Sequence, residues 1–203
     1  MEQLRKLFLA NGAIRAGPVR TERAMAYATE RMRGRRLPFI PTHAIVAVFA
    51  GKPDIGAGGG DYSENGARLR SACETLRELY PSNFYPSGNA YPLPAVQAAR
   101  LAGLGWIGLN GLLNVPGVGS SVTIGAVLTD LELPDAGEGG YCNRCGLCAA
   151  SCPAGAITVG ESSRRFTREL CLSHRRQKEG FPLSRDGYYG CDICQDICPH
   201  AAG

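Results

Sequence analysis

The stretch "CNRCGLCAASCP", residues 142–153, sets four cysteines at intervals of three, three and four and closes the run with a proline. A shortened copy, "CDICQDICP", returns at residues 191–199. Eight of the chain's nine cysteines lie between Cys142 and Cys198, and an odd total does not close into a disulfide framework. The start of the chain has only a four-residue apolar run, at residues 7–10, which is too short for a secretory signal. Arg35 and Arg36 lie too far in, with no apolar stretch behind them, for a twin-arginine export signal. No segment reaches the roughly 18 apolar residues of a membrane span. The expectation is a cytoplasmic protein whose thiols are reduced and available as ligands.

Structural zinc needs four ligands, usually two separated C-x2-C pairs. The 142–153 run exceeds that need and matches the C-x2-C-x2-C-x3-C-P run of bacterial two-cluster ferredoxins. Two-residue intervals let a tight loop aim three sulfurs at three corners of one cube. Cys152, read as lying at the start of a helix, points to the neighbouring cube, and Pro153 suits the first helical position because its missing N–H costs nothing there. The second run is one cysteine short of this pattern, and Cys171 makes up the count. By the ferredoxin crossover, Cys142, Cys145, Cys148 and Cys198 hold one [4Fe–4S] cluster, and Cys152, Cys171, Cys191 and Cys194 hold the other. Zinc and a three-iron centre remain open beside two [4Fe–4S] clusters. Gly146, Gly155 and Gly190 flank the ligands, where backbone N–H groups can approach sulfur. Ile157, Val159 and Ile193 are expected to shield the cubes.

The remaining residues set the organisation. A chain of 203 residues with 44% hydrophobic and 20% charged residues is long enough, and apolar enough, for a packed core. A net charge of +4 is too mild to argue for nucleic acid by itself. Composition shifts near residue 135, where "LPDAGEGG" reads as a glycine-rich hinge. The expected division is an α/β domain at 1–135 and a cluster domain at 136–203. In the first, residues 21–34 are predicted as one helix, "AIVAVFA" at 44–50 as a buried strand, and residues 122–128 as another strand. A helix starting near Pro94 is expected to end at the glycines of "GLGWIG". Leu69, Cys73, Leu76 and Tyr80 share one helical face, which makes Cys73 a core residue rather than a reactive thiol.

"AGLGWIGLNGLLNVPGVGSSVTIGAVLTDLELP" running into the cysteines, and the tail "YGCDICQDICP" with Cys171 upstream, resemble the epoxyqueuosine reductases and the corrinoid reductive dehalogenases. "PTHAIVAVFA" and "GGGDY" follow the same order, so the resemblance runs from about Leu37 to Pro199. It implies an α+β fold: a nitroreductase-like α/β domain holding base-off cobalamin, followed by a two-cluster ferredoxin-like domain. It also implies a low-potential electron donor of flavodoxin or ferredoxin type, and cob(I)alamin as the reductant of a bound substrate. Gly105, Trp106, Gly108 and Asn110 would form a loop near the junction of corrinoid and cluster. A glycine-rich helix end around a buried tryptophan is the plainer reading of the same four residues.

Three departures stand against carrying the activity over. Asn89 occupies the place of the catalytic aspartate, and an amide is no general acid. "DYS" at 61–63 lacks the family's histidine, leaving Asp61, Tyr62 and Tyr91 as alternative acids. The chain stops four residues after Pro199, where the tRNA-modifying enzymes continue into a helical-repeat region. The arginine-rich stretch 31–36 and "HRRQK" at 174–178 are read as solvated surface, or as a docking face for an acidic donor, ahead of an RNA contact. His174 and His200 are expected to face solvent, and His43 carries no signal. Two functions fit these residues. One is an iron–sulfur oxidoreductase feeding a corrinoid or substrate in the first domain. The other is a non-catalytic electron carrier whose first domain docks a partner.

Overall fold

The computed structural model describes residues 1–51, 60–159, 164–179 and 191–200. The first part runs α1 (Glu2–Ala10), β1 (Arg15–Arg20), α2 (Thr21–Met25), α3 (Glu30–Arg33), β2 (His43–Ala50) and α4 (Gly60–Leu79). It continues with β3 (Phe84–Ser87), α5 (Ala95–Leu101), β4 (Trp106–Ile107), β5 (Leu113–Asn114) and β6 (Val122–Thr129). The cysteine-rich part holds α6 (Leu147–Ala150), β7 (Ile157–Val159), β8 (Arg164–Phe166), a 3-10 turn (Arg168–Leu170), α7 (Leu172–Glu179) and α8 (Ile193–Asp196). Among the described residues no helix is long and apolar enough to cross a membrane.

Four strands form an antiparallel sheet in the order β1-β2-β6-β3. β2 and β6 are central and pair in full register, from His43 opposite Thr129 to Ala50 opposite Val122. "AIVAVFA" is apolar throughout because both faces of this sheet are covered. Ala44, Val46 and Val48 pack with Leu101 at the end of α5 and Leu104 just after it on one face. Ile45, Ala47 and Phe49 pack with Leu4 and Phe8 of α1 and Leu69 and Leu76 of α4 on the other. Each large side chain buried here contributes roughly 1.5–3 kcal/mol. The edge strands carry Pro18 and Pro86, residues an inner strand would not tolerate.

The single helix expected at 21–34 is two short ones. Thr21 does not cap; its hydroxyl donates to the carbonyls of Pro41, at 2.6 Å, and Thr42, at 3.0 Å. Thr29 breaks the run by turning extended, and its Oγ1 accepts the Met32 N–H to cap α3. The hinge expected at 133–140 is also tied down. Asp135 pairs with Arg23 at 3.2 Å, Glu138 with Arg100 at 2.7 Å and Arg23 at 3.1 Å, and Gly139 N–H donates to the Arg100 carbonyl at 2.8 Å. The Arg100 hydrogen bond holds the Glu138 carboxyl below its usual range. These pairs are solvent-screened, so each contributes little to stability.

Leu69, Cys73 and Leu76 are fully buried on α4, as their spacing predicts. Burial pushes the Cys73 thiol up to about 12 from 9.0. The folded chain therefore keeps this proton while the unfolded chain loses it, so stability falls as pH rises from about 9 to about 12. Denaturant titrations between pH 8.5 and 10.5 are expected to show the wild type losing more stability across that window than Cys73→Ala, by up to about 1.4 kcal/mol per pH unit. Equal slopes would place Cys73 outside the core.

Candidate metal centre

The two cysteine runs fold alike. Cys145 precedes α6, Cys148 lies within it, and Cys152 and Pro153 follow it. Cys191 precedes α8, Cys194 lies within it, and Cys198 and Pro199 follow. The C-caps are Ser151 and Ile197, so each proline stands two residues beyond the end of a short helix, where it blocks continuation. This corrects the expectation for Cys152 and Pro153: they terminate a helix and do not start one. α6 and α8 pack against each other.

The thiols are neighbours across these elements. Burial pushes Cys148 up, and Cys142, Cys145 and Cys198 beside it act in the same direction. Burial raises Cys191 as well; the Ile193 backbone N–H lowers it in part, and Cys171 and Cys152 raise it further. Cys194 is pushed up to about 11 by burial, against the Asn110 amide, with Cys191, Cys171 and Cys148 adding to the rise. Two groups of four emerge, with Cys148 and Cys194 facing one another between them. Among the described residues no three Cys, His, Asp or Glu side chains converge as they would on a single ion. A multi-iron core asks for a wider spacing than one ion does.

Backbone donors reach these sulfurs. Arg144 N–H points to Cys142 Sγ at 3.4 Å and Ala156 N–H to Cys152 Sγ at 3.3 Å. Arg144 takes a φ of +58° to do so, a conformation that only local constraint sustains in a non-glycine residue. Gly146 and Gly155 take positive φ, of +82° and +59°, while the two N–H groups above belong to Arg144 and Ala156; Gly190 lies outside the described residues. Ile157 is buried, but Val159 and Ile193, expected as shields, are exposed among the described residues.

The loop carrying Gly105, Trp106, Gly108 and Asn110 is a β4–β5 hairpin and not a helix end. A Cβ at Gly105 would collide with the Asn114 carbonyl, and one at Gly108 with the Asn110 and Asn114 amides. Trp106 is half-buried and meets the His200 ring edge-on at 5.3 Å, while His200 itself is exposed, as expected. His174 accepts from Arg168 Nε at 3.2 Å. His43 is buried, with Nε2 unpartnered. Asn110 Nδ2 lies 3.8 Å from Cys194 Sγ, and Asn114 Oδ1 lies 3.8 Å from Cys198 Sγ. Asn114 and Gln195, both buried, were missed; amides in a glycine-rich loop or beside a cysteine carry no distinctive spacing.

A cleft of about 470 Å³ adjoins Cys142, walled by Tyr27, Arg100, Ile107, Leu109, Tyr141 and Arg144. Asn89 stands away from it as an exposed turn residue whose Oδ1 accepts from Ser87 Oγ and Tyr91 N–H, both at 3.1 Å. Tyr91 Oη donates to the Arg31 carbonyl at 3.1 Å. The side chains of Asp61 and Tyr62 lie outside the described residues.

Residues 141–201 match the 4Fe-4S double cluster binding domain family. Over 204 residues the chain is 31% identical to the epoxyqueuosine reductase of Escherichia coli K12, covering 93% of this chain and 52% of that one. The chain thus spans about half the length of that curated relative. The epoxyqueuosine reductase structure from Streptococcus thermophilus superposes with a TM-score of 0.75 at 20% identity, over 100% of this chain and 66% of that one. An epoxyqueuosine reductase with a tRNA-Tyr epoxyqueuosine-modified stem loop gives 0.72 at 16%, over 98% and 64%. A reductive dehalogenase described in terms of B12-dependent dehalogenation gives 0.67 at 20%, over 98% and 31%. The resemblance read from the sequence therefore holds in sequence and fold for the epoxyqueuosine reductases and in fold for the dehalogenases, and residues 141–201 match a double [4Fe–4S] binding domain.

Gly105→Ala is expected to destabilise the protein by about 1–3 kcal/mol in chemical denaturation, because the added methyl group meets backbone that cannot move aside. A neutral result would remove the close approach at this point.

Proposed function

We propose that the chain is an iron–sulfur reductase module. Cys142, Cys145, Cys148 and Cys198 hold one [4Fe–4S] cluster, and Cys152, Cys171, Cys191 and Cys194 hold the other. The clusters belong to a ferredoxin-like domain at 136–203, and the electron acceptor belongs to a nitroreductase-like domain at 1–135. The observation that carries this reading is the sorting of eight thiols into two neighbouring groups within a double-cluster family match. The donor set fits: soft thiolates suit iron–sulfur centres, and backbone N–H groups already point at Cys142 and Cys152. When bound, such clusters take up and pass on single electrons. The chain's own part is to orient the sulfurs, offset their charge with N–H donors and keep water from Cys148 and Cys194.

The acceptor is a corrinoid, the cofactor class named for a dehalogenase of the same fold. The cleft beside Cys142 is where it would meet the cluster domain, with Ile107 and Leu109 as the apolar wall and Arg100 and Arg144 at the polar side. The donor is a low-potential protein of flavodoxin or ferredoxin type, and the setting is the cytoplasm. A second reading, a non-catalytic electron carrier with a partner-docking first domain, is favoured by Asn89. The family resemblance read from the sequence implies a catalytic acid at this position; here the Asn89 amide is engaged in a turn.

Anaerobically reconstituted protein is expected to hold ~8 iron and ~8 acid-labile sulfide per chain. Stoichiometric zinc without brown colour would replace the cluster reading. Cys171→Ala is expected to lower the iron content while Cys73→Ala leaves it unchanged; equal iron in the two variants removes Cys171 from the ligands. Cobalamin uptake, followed by its visible spectrum, separates the reductase from the carrier. Native protein supplied with cobalamin and a strong reductant is expected not to turn over epoxyqueuosine-containing RNA. Turnover that Asn89→Asp does not raise would show that the missing acid is no obstacle.

A further inference from the structure

The hairpin brings two buried asparagine amides to the two cysteine groups, and Leu112, between them in sequence, decides which way each one faces. The Leu112 N–H donates to Asn110 Oδ1 at 3.2 Å, which turns the Asn110 NH2 outward. The Leu112 carbonyl accepts from Asn114 Nδ2 at 3.2 Å, which turns the Asn114 oxygen outward. That carbonyl also accepts the Gly108 N–H at 2.9 Å, which fixes the turn. Exchanging N and O in either amide would set donor against donor, or acceptor against acceptor, at Leu112. The two outward groups therefore differ in kind. Asn110 Nδ2 reaches Cys194 Sγ at 3.8 Å and the Cys194 carbonyl at 3.4 Å. Asn114 Oδ1 lies 3.8 Å from Cys198 Sγ. In the metal-free chain the Cys198 thiol can donate to that oxygen; as a ligand the sulfur has no proton, and the oxygen stands against it. Both asparagines are nearly inaccessible, at 4% and 1% exposure, so bulk water screens neither effect.

An N–H aimed at a ligand sulfur favours the more negative, reduced cluster and raises its potential. A carbonyl oxygen aimed at a sulfur disfavours the added electron and lowers the potential. We propose that the β4–β5 hairpin staggers the potentials of the two clusters, Asn110 raising that of the Cys194 cluster and Asn114 lowering that of the Cys198 cluster. The proposal rests on the two-cluster reading above. Asn110 and Asn114 are positioning residues: they touch ligand atoms and no substrate. The consequence is directional. An added electron settles on the Cys194 cluster, and the stronger reductant is the cluster whose ligand Cys142 borders the cleft.

The test is an anaerobic potentiometric titration, followed by electron paramagnetic resonance, of reconstituted wild type, Asn110→Leu and Asn114→Leu, with iron measured on each. In Asn110→Leu one of the two one-electron waves is expected to fall by a tenfold change in its equilibrium, ~59 mV. In Asn114→Leu the other wave is expected to rise by a similar amount. Unmoved waves, the same wave moved by both variants, or a shift of opposite sign overturns the proposal. Should the leucine variants lose iron, Asn110→Asp keeps the acceptor for Leu112 and removes the donor. Its wave must fall, and an unmoved wave there also overturns the proposal. Wild type that binds no clusters removes the two-cluster reading itself; clusters with unmoved potentials remove only the stagger.

Discussion

At Gly105 three backbone segments meet with no side chain between them. The Asn114 carbonyl lies where a Gly105 Cβ would be, and the Gly105 carbonyl lies where a Gly139 Cβ would be. This close approach locks the hairpin to itself and the 135–140 segment to the hairpin. The neighbouring parts of the chain take their positions from there: Tyr141 and Cys142 emerge beside the cleft, and Asn110 and Asn114 are carried to the cysteines of the final run. The ion pairs of Asp135 and Glu138 assist from the surface, but they are individually weak. The arrangement depends on the absence of atoms at two glycines more than on any attractive contact.

The cysteine-rich part shows how a covalent spacing becomes local structure. Each C-x2-C-x3-C-P run contains one helical turn, long enough to turn its middle cysteine inward and ended by its proline. Because two such turns pack together, the half-buried Cys148 and Cys194 come near each other although 46 residues separate them. Burial in apolar surroundings opposes the thiolate form, and nearby sulfurs oppose it further. The Asn110 amide at Cys194 and the Ala149 backbone N–H at Cys148 offset part of that cost.

Much of this was legible in the sequence where one signal dominated. The cysteine spacing, the apolar run of β2, the strand at β6 and the buried face of α4 were all readable, since each follows from periodicity or ligand count. The edge strands were not. Pro18 and Pro86 argue against a strand until it is known that the strand has only one partner. Thr29, read as mid-helix, acts as a cap because its hydroxyl competes for a backbone N–H. The hairpin was hidden in "GLGWIGLNGLLN", where the glycines suggested a helix end. Their reason is tertiary contact, which no local window contains. For the candidate site the sequence supplied the thiols and Asn110, but not Asn114, whose partner is 84 residues away.

The seat at Gly105 also bears on how fast charge can move through the molecule. Electron tunnelling weakens steeply with separation, so a bridge held by flexible ion pairs would let the rate drift with ionic strength and thermal play. A bridge set by van der Waals contact has almost no slack in compression and does not respond to salt. Screening can loosen Asp135 and Glu138 from their arginines without changing the spacing at the glycines. The spacing between the cysteine groups and the sheet side of the molecule is then insensitive to the ionic medium, and any electron transfer proposed across it would inherit that insensitivity.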